Sequence, residues 1–234
     1  MNRFLPALLG VASTVVCAQL VSAADMPVKA PVMQAPVATP YDWSGFYVGG
    51  HLGYFWGKTR VEENGVVTES GAPTNGVVGG ALVGVNWQSG PLVFGLEGDF
   101  GWSNAHGVGV AAPIAIPNTY DINWTSHVLG RAGYAFDNWL FFIAGGFAVA
   151  DVNFNEGTDL FAGRGGKYYG WSIGGGADFA VTRNLIARVQ YLYDDYGHKD
   201  YVNQFNDVYR VSLTGQTVRG ALIWKFDSLG MMRP

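Results

Sequence analysis

Four histidines, His51, His106, His127 and His198, are the side chains of this sequence that could hold a metal or a haem iron. Such centres need ligands close together, for instance two histidines four apart on one helix face, and no pair here has that spacing. Acyl transfer needs a hydroxyl and an imidazole on the same side of the chain. Ser126 and His127 are adjacent, so in a strand they point to opposite faces. GRGGK at 163–167 lacks both the phosphate-loop spacing and the Ser or Thr that should follow, and the glycines at 174–176 fall inside a strand-like run. The one cysteine, Cys17, lies in the apolar leader, which leaves no thiolate for nucleophilic chemistry. The neighbouring carboxylates Glu156 and Asp159, or Asp194 and Asp195, read as solvated loop surface. No catalytic residue is assigned, and no cofactor or metal is expected.

What remains is ionic. Glu97, Asp99 and Asp178 on one side, with Arg131, Arg188, Arg219 and Lys225 on the other, stand among glycines and small residues at alternate positions of otherwise apolar segments. Opposite charges shut into a narrow space should pair, and Glu97, Asp99, Arg131, Asp178, Arg188 and Arg219 are expected to form one network, joined on the same polar side by His51 and His127. The competing reading of the same residues is a narrow charged pore for small solutes.

Elements with a period of two must position these groups. In YDWSGFYVGGHLGYFWG, 41–57, Phe46, Val48, Leu52, Tyr54 and Trp56 share one parity, while glycines and His51 fill much of the other. Similar alternation marks eight segments, near 44–56, 76–88, 92–102, 123–136, 139–152, 168–181, 185–195 and 209–226. Three connections between them are short, Gln88–Pro91, Asp137–Asn138 and Thr182–Asn184. The four that alternate with these are long and polar, 57–75, 103–122, 153–167 and 196–208. That alternation suits a meander whose two ends meet different compartments. Counting across the short turns pairs Trp87 with Leu92, Phe136 with Trp139 and Val181 with Leu185, apolar face to apolar face each time. The expected fold is all-β, an eight-stranded antiparallel up-and-down transmembrane barrel over 43–226. Its bulky parity meets hydrocarbon and its small and charged parity lines a narrow lumen. Phe46, Trp56, Trp87, Trp102, Phe136, Trp139, Trp171 and Trp224 then form lipid-facing aromatic girdles. A soluble ligand-binding barrel with the aromatic parity turned inward is the alternative.

The ends set the compartment. Residues 1–24 carry Arg3, an apolar run and a small-residue finish, which reads as a secretory signal peptide. Residues 25–42, with prolines at 27, 31, 36 and 40, read as an extended periplasmic leader, and 227–234, DSLGMMRP, as a short periplasmic tail. Removing Arg3 from the 14 basic residues leaves 13 against 18 acidic, a net charge of −5 with no basic patch, so nucleic acid is not expected as a partner.

The Pro-rich leader, DWSGFYVGGHLGY at 42–54, RVQYLYDDYG at 188–197 and TVRGALIWKF at 217–226 resemble the alphaproteobacterial small outer-membrane protein family, which includes major surface proteins and haemin-binding relatives. The resemblance covers nearly all of the chain beyond the signal. It implies an eight-stranded barrel of the kind related to outer-membrane protein A, residence in the outer membrane among lipid and lipopolysaccharide, a contribution to envelope integrity, and loops exposed to host or environment, while contact with cell-wall peptidoglycan would fall to the Pro-rich leader. Separately, the positions of His106 and His198 in outer loops make them candidates for weak haemin contacts. Trp224 and Phe226 match the aromatic ending by which the barrel-assembly machinery recognises its substrates, although the chain runs on past Phe226.

Overall fold

A computed structural model describes residues 40–63, 65–111, 116–156, 165–202 and 208–226. The expected signal peptide, most of the leader and the tail lie outside those residues. Eight strands follow one another: β1 (Gly45–Glu63), β2 (Val66–Ser89), β3 (Leu92–Ala111), β4 (Ile116–Phe136), β5 (Trp139–Glu156), β6 (Gly166–Ala180), β7 (Leu185–Val202) and β8 (Val208–Lys225). Each pairs antiparallel with its sequence neighbour, and β1 pairs with β8 from Tyr47↔Lys225 to Glu63↔Tyr209, closing the sheet into a barrel with no free edge across its middle. Among the described residues no helix is long and apolar enough to cross a membrane.

The faces divide by parity. Leu52, Ile143, Val128 and Leu222 are more than 60% exposed on the outside of the wall, while Glu97, Leu129, Arg188 and Leu192 on the other parity are buried. Closing eight strands leaves an interior that side chains just fill. Large groups there need small ones opposite them. The Tyr47 ring covers Gly84, and the Phe55 ring covers Gly215, each in the volume that a Cβ would take. That is why glycine alternates with aromatics in the opening stretch of β1 and its partners.

Two expectations are corrected. Three of the four long connections are mostly strand: β1 and β2 stay paired to Glu63↔Val66, β3 and β4 to Ala111↔Ile116, and β7 and β8 to Val202↔Val208. Strands of 15 to 24 residues exceed the roughly 9–11 that cross a bilayer, so these hairpins project beyond it. Outside hydrocarbon the outer face no longer has to be apolar, so the alternation fades while the backbone ladder continues. The β2–β3 turn is also tighter than Gln88–Pro91. Gly90, at φ 59°, makes a two-residue connection with Pro91, so Ser89 faces Leu92, and Trp87 faces Phe94 instead of Leu92. A shift by two keeps every side chain on its own face. Phe136 does face Trp139, and the Val181 amide donates to the Leu185 carbonyl at 2.9 Å.

Residues 41–44 belong to the barrel mouth more than to a leader. Trp43 is fully buried at the short-turn end, its amide donating to Gln88 Oε1 at 2.7 Å, and Tyr41 packs edge-on against it at 4.6 Å. Lys225 Nζ donates to the carbonyls of Asp42 and Ser44, strapping the segment across the opening.

Candidate functional site

Halfway up the lumen, one carboxylate pair organises the charges. Glu97 on β3 and Asp178 on β6 are bridged by two guanidinium groups. Arg188 on β7 donates from Nε and Nη2 to Asp178 at 2.6 and 2.9 Å and from Nη1 to Glu97. Arg131 on β4 donates to Asp178 at 3.0 Å, to Glu97 at 3.2 Å and to the Tyr47 hydroxyl at 2.8 Å. Tyr47 in turn donates to Glu97 at 2.7 Å, and the Phe142 ring lies 3.9 Å under the Arg131 guanidinium. A second group sits on the side of the long hairpins. Arg219 on β8 donates to Asp99 and to Gln190, both at 3.0 Å, and lies 3.6 Å from Glu97. His127 Nδ1 is 2.9 Å from Asp99, while its Nε2 is 3.3 Å from Asp194.

All six residues expected in the network are therefore buried and joined through shared partners. Tyr47, Gln190 and Asp194 join them and were not expected. Asp194 corrects the reading of Asp194 and Asp195 as a surface pair. It is fully buried on the lumen side of β7, opposite Ser172 of β6, because β7 runs on to Val202 instead of ending at the acids. Only the parity of Leu192 and Gln190 could have revealed it. Lys225, expected among the inward cations, stands apart and serves the strap at the mouth. His51 is also inward and buried, and it makes no hydrogen bond through either ring nitrogen among the described residues.

Apolar layers close the lumen above and below these charges. Trp43, Leu82, Val93, Ile186 and Ile223 pack at the short-turn end, and Phe55, Val78, Ile122, Tyr168 and Leu213 pack toward the hairpins. In such a setting opposite charges in bonding contact hold each other, and removing one strands its partners at a cost of about 3–5 kcal/mol. The arrangement can bind and brace strands across the barrel. Among the described residues it offers no nucleophile aligned with a base.

The outside carries the expected aromatics in two rings. Phe46, Trp87, Phe136, Trp139 and Trp224 lie outward near the short turns, with Trp139 and Phe179 4.8 Å apart. Trp102 and Trp171 lie outward toward the hairpins, joined by Trp56, which is partly buried and stacks with Tyr54 at 6.4 Å. Phe226 follows β8, and its amide donates to the Phe46 carbonyl at 2.9 Å, extending the closing seam by one residue.

His106 and His198 are not in loops. His106 lies on β3 with Nδ1 2.6 Å from Asp121, and His198 lies on β7 opposite Ser212. These strands are not neighbours in the barrel, so no contact joins the two histidines into one site. Higher on the same hairpin Arg210 grips Asp200 at 2.8 and 3.1 Å, which holds that exposed carboxyl below its ordinary range. Of GRGGK, the residues described begin at Gly165, and Lys167 extends over Trp124, 5.8 Å from the ring centre.

The family model for the outer membrane protein beta-barrel domain matches residues 28–226. The chain is 33% identical over 168 residues to the 22 kDa outer membrane protein of Rhizobium leguminosarum bv. viciae, covering 72% of this chain and 71% of that one. It is 33% identical over 224 residues to the 31 kDa outer-membrane immunogenic protein of Brucella melitensis, covering 87% and 92%. Among solved structures, Neisserial surface protein A aligns over 78% of this chain and 98% of that one, with 13% identity and a TM-score of 0.44.

Proposed function

The chain belongs to the outer membrane protein beta-barrel domain family and resides in the bacterial outer membrane, and from that membership we propose that it is a closed structural barrel that supports the envelope and presents its long hairpins for contact. The observation that carries this reading is the filled lumen. Guanidinium and carboxylate groups pair with one another at mid-height, and apolar side chains pack on both sides of them. A diffusion channel needs an unbroken aqueous path, and an eight-stranded wall has no width to spare for one once these side chains are in place. The short turns and the strapped mouth face the periplasm, and the projecting hairpins face outward, the orientation usual for such meanders.

Planar bilayer recording tests the closed state. The purified protein should give no conductance steps of porin size, and steps of that size would overturn the proposal. In the cell, loss of the gene should raise sensitivity to detergents and large antibiotics, with wild-type protein restoring resistance. Unchanged sensitivity would remove the role in envelope integrity.

A further inference from the structure

On the outer face of β1 the alternation that seats Leu52, Tyr54 and Trp56 continues as Lys58 and Arg60, both exposed, alternating with buried Gly57 and Thr59. At about 3.3 Å per residue, Lys58 stands roughly 7 Å and Arg60 roughly 13 Å beyond the Tyr54–Trp56 stack. Aromatic girdles mark the boundary of the hydrocarbon, so these two cations fall at the level of lipid headgroups. Every other cation described on the hairpin side has a partner: Arg210 is gripped by Asp200 and faces Glu62, Lys167 sits over Trp124 across from Asp151, and Lys199 sits over Tyr168. Lys58 and Arg60 alone have no ion pair or ring contact among the described residues. Beside them on β8 lie Thr214 and Ser212, whose hydroxyls can donate, and beside Lys58 on β2 lies Pro73, which adds no charge.

We infer that Lys58 and Arg60, with Thr214 and Ser212, form a binding site for the phosphorylated sugar headgroup of an outer-leaflet glycolipid, its acyl chains lying along Leu52 and Tyr54. The chemistry fits at each level: apolar wall, aromatic boundary, then two unpaired cations where anionic phosphates stand, on a protein whose net charge of −4 gives no general attraction to anions. An acidic peptide would be drawn by the same charges but has no use for the apolar wall directly beneath them. The inference rests on the outer-membrane orientation proposed above.

The full chain, reconstituted in phosphatidylethanolamine vesicles containing bis-phosphorylated lipid A, should retain that lipid through purification, as read by native mass spectrometry. Retention should fall about tenfold or more in K58Q/R60Q, at roughly a few-fold for each cation lost near a charged surface, and stay unchanged in K167Q. Lipid A stripped of its phosphates should be held no better than phosphatidylethanolamine. Retention by K58Q/R60Q equal to wild type, an equal loss in K167Q, or displacement by inorganic phosphate or a soluble acidic peptide at millimolar concentration would overturn the assignment. Heat-modifiable gel migration on the same samples reports the barrel separately. Wild type that migrates as folded but ignores lipid A sinks the site and leaves the barrel reading intact, whereas wild type without the migration shift sinks that reading. If K58Q/R60Q fails to fold, K58Q and R60Q singly carry the test, each with a loss of about threefold.

Discussion

Arg188 shows how much one residue holds. Its guanidinium meets Asp178 through two nitrogens and Glu97 through a third, all buried, so Arg188→Ala leaves two carboxylates short of donors in a dry interior. Urea unfolding in vesicles should show a loss of about 3–5 kcal/mol, and a loss under 1 kcal/mol would mean that water reaches these acids freely. At this scale the sequence is legible in part. Strand period alone turns Glu97, Asp99, Arg131, Asp178, Arg188 and Arg219 inward. It does not say that Arg131 shares Asp178 with Arg188, because that depends on which strands face one another across the barrel. Asp194 was hidden for a different reason: a second acid follows it, and a pair of acids near the end of an apolar run looks like surface.

At the scale of elements, the mouth segment ahead of β1 is testable by itself. Trp43 has no counterpart in the alternation, since it precedes the strand and fills the opening from above the short turns. Trp43→Ala should cost about 3–5 kcal/mol as a large buried side chain is lost. It should also admit a water-soluble thiol reagent to a cysteine placed at Val93, which stays protected when Trp43 is present. Labelling at the same rate in both backgrounds would show that Trp43 seals nothing. The strands were readable where they touch hydrocarbon and unreadable beyond it. Leu92 to Trp102 alternates cleanly, but His106 and His198 sit beyond it in ladder segments whose outer face mixes polar and apolar groups over inward Ala105 and Tyr196, and no clear period distinguishes these from loop.

For the whole molecule, the lipid-facing belt sets the limits on change. Ile143, 70% exposed on β5 four residues beyond Trp139 of the short-turn girdle, has no protein neighbour to shelter a charge. Ile143→Arg should destabilise the inserted barrel by about 2–4 kcal/mol, read by unfolding in vesicles, while the same change at exposed Asn153 beyond the bilayer should cost little. Equal costs at both sites would place the hydrocarbon boundary elsewhere. The long reach of the central ion pairs also has a consequence for biogenesis. Asp99 and Arg219 are 120 residues apart, and Arg219 arrives on the strand that completes the ring. Until that strand docks, the third strand carries an acid whose guanidinium partner has not arrived. The nascent sheet must therefore keep its concave side hydrated as it enters the bilayer, and the final docking step both seals the wall and expels that water, so an assembly intermediate lacking only the last strand should remain water-filled and easily extracted.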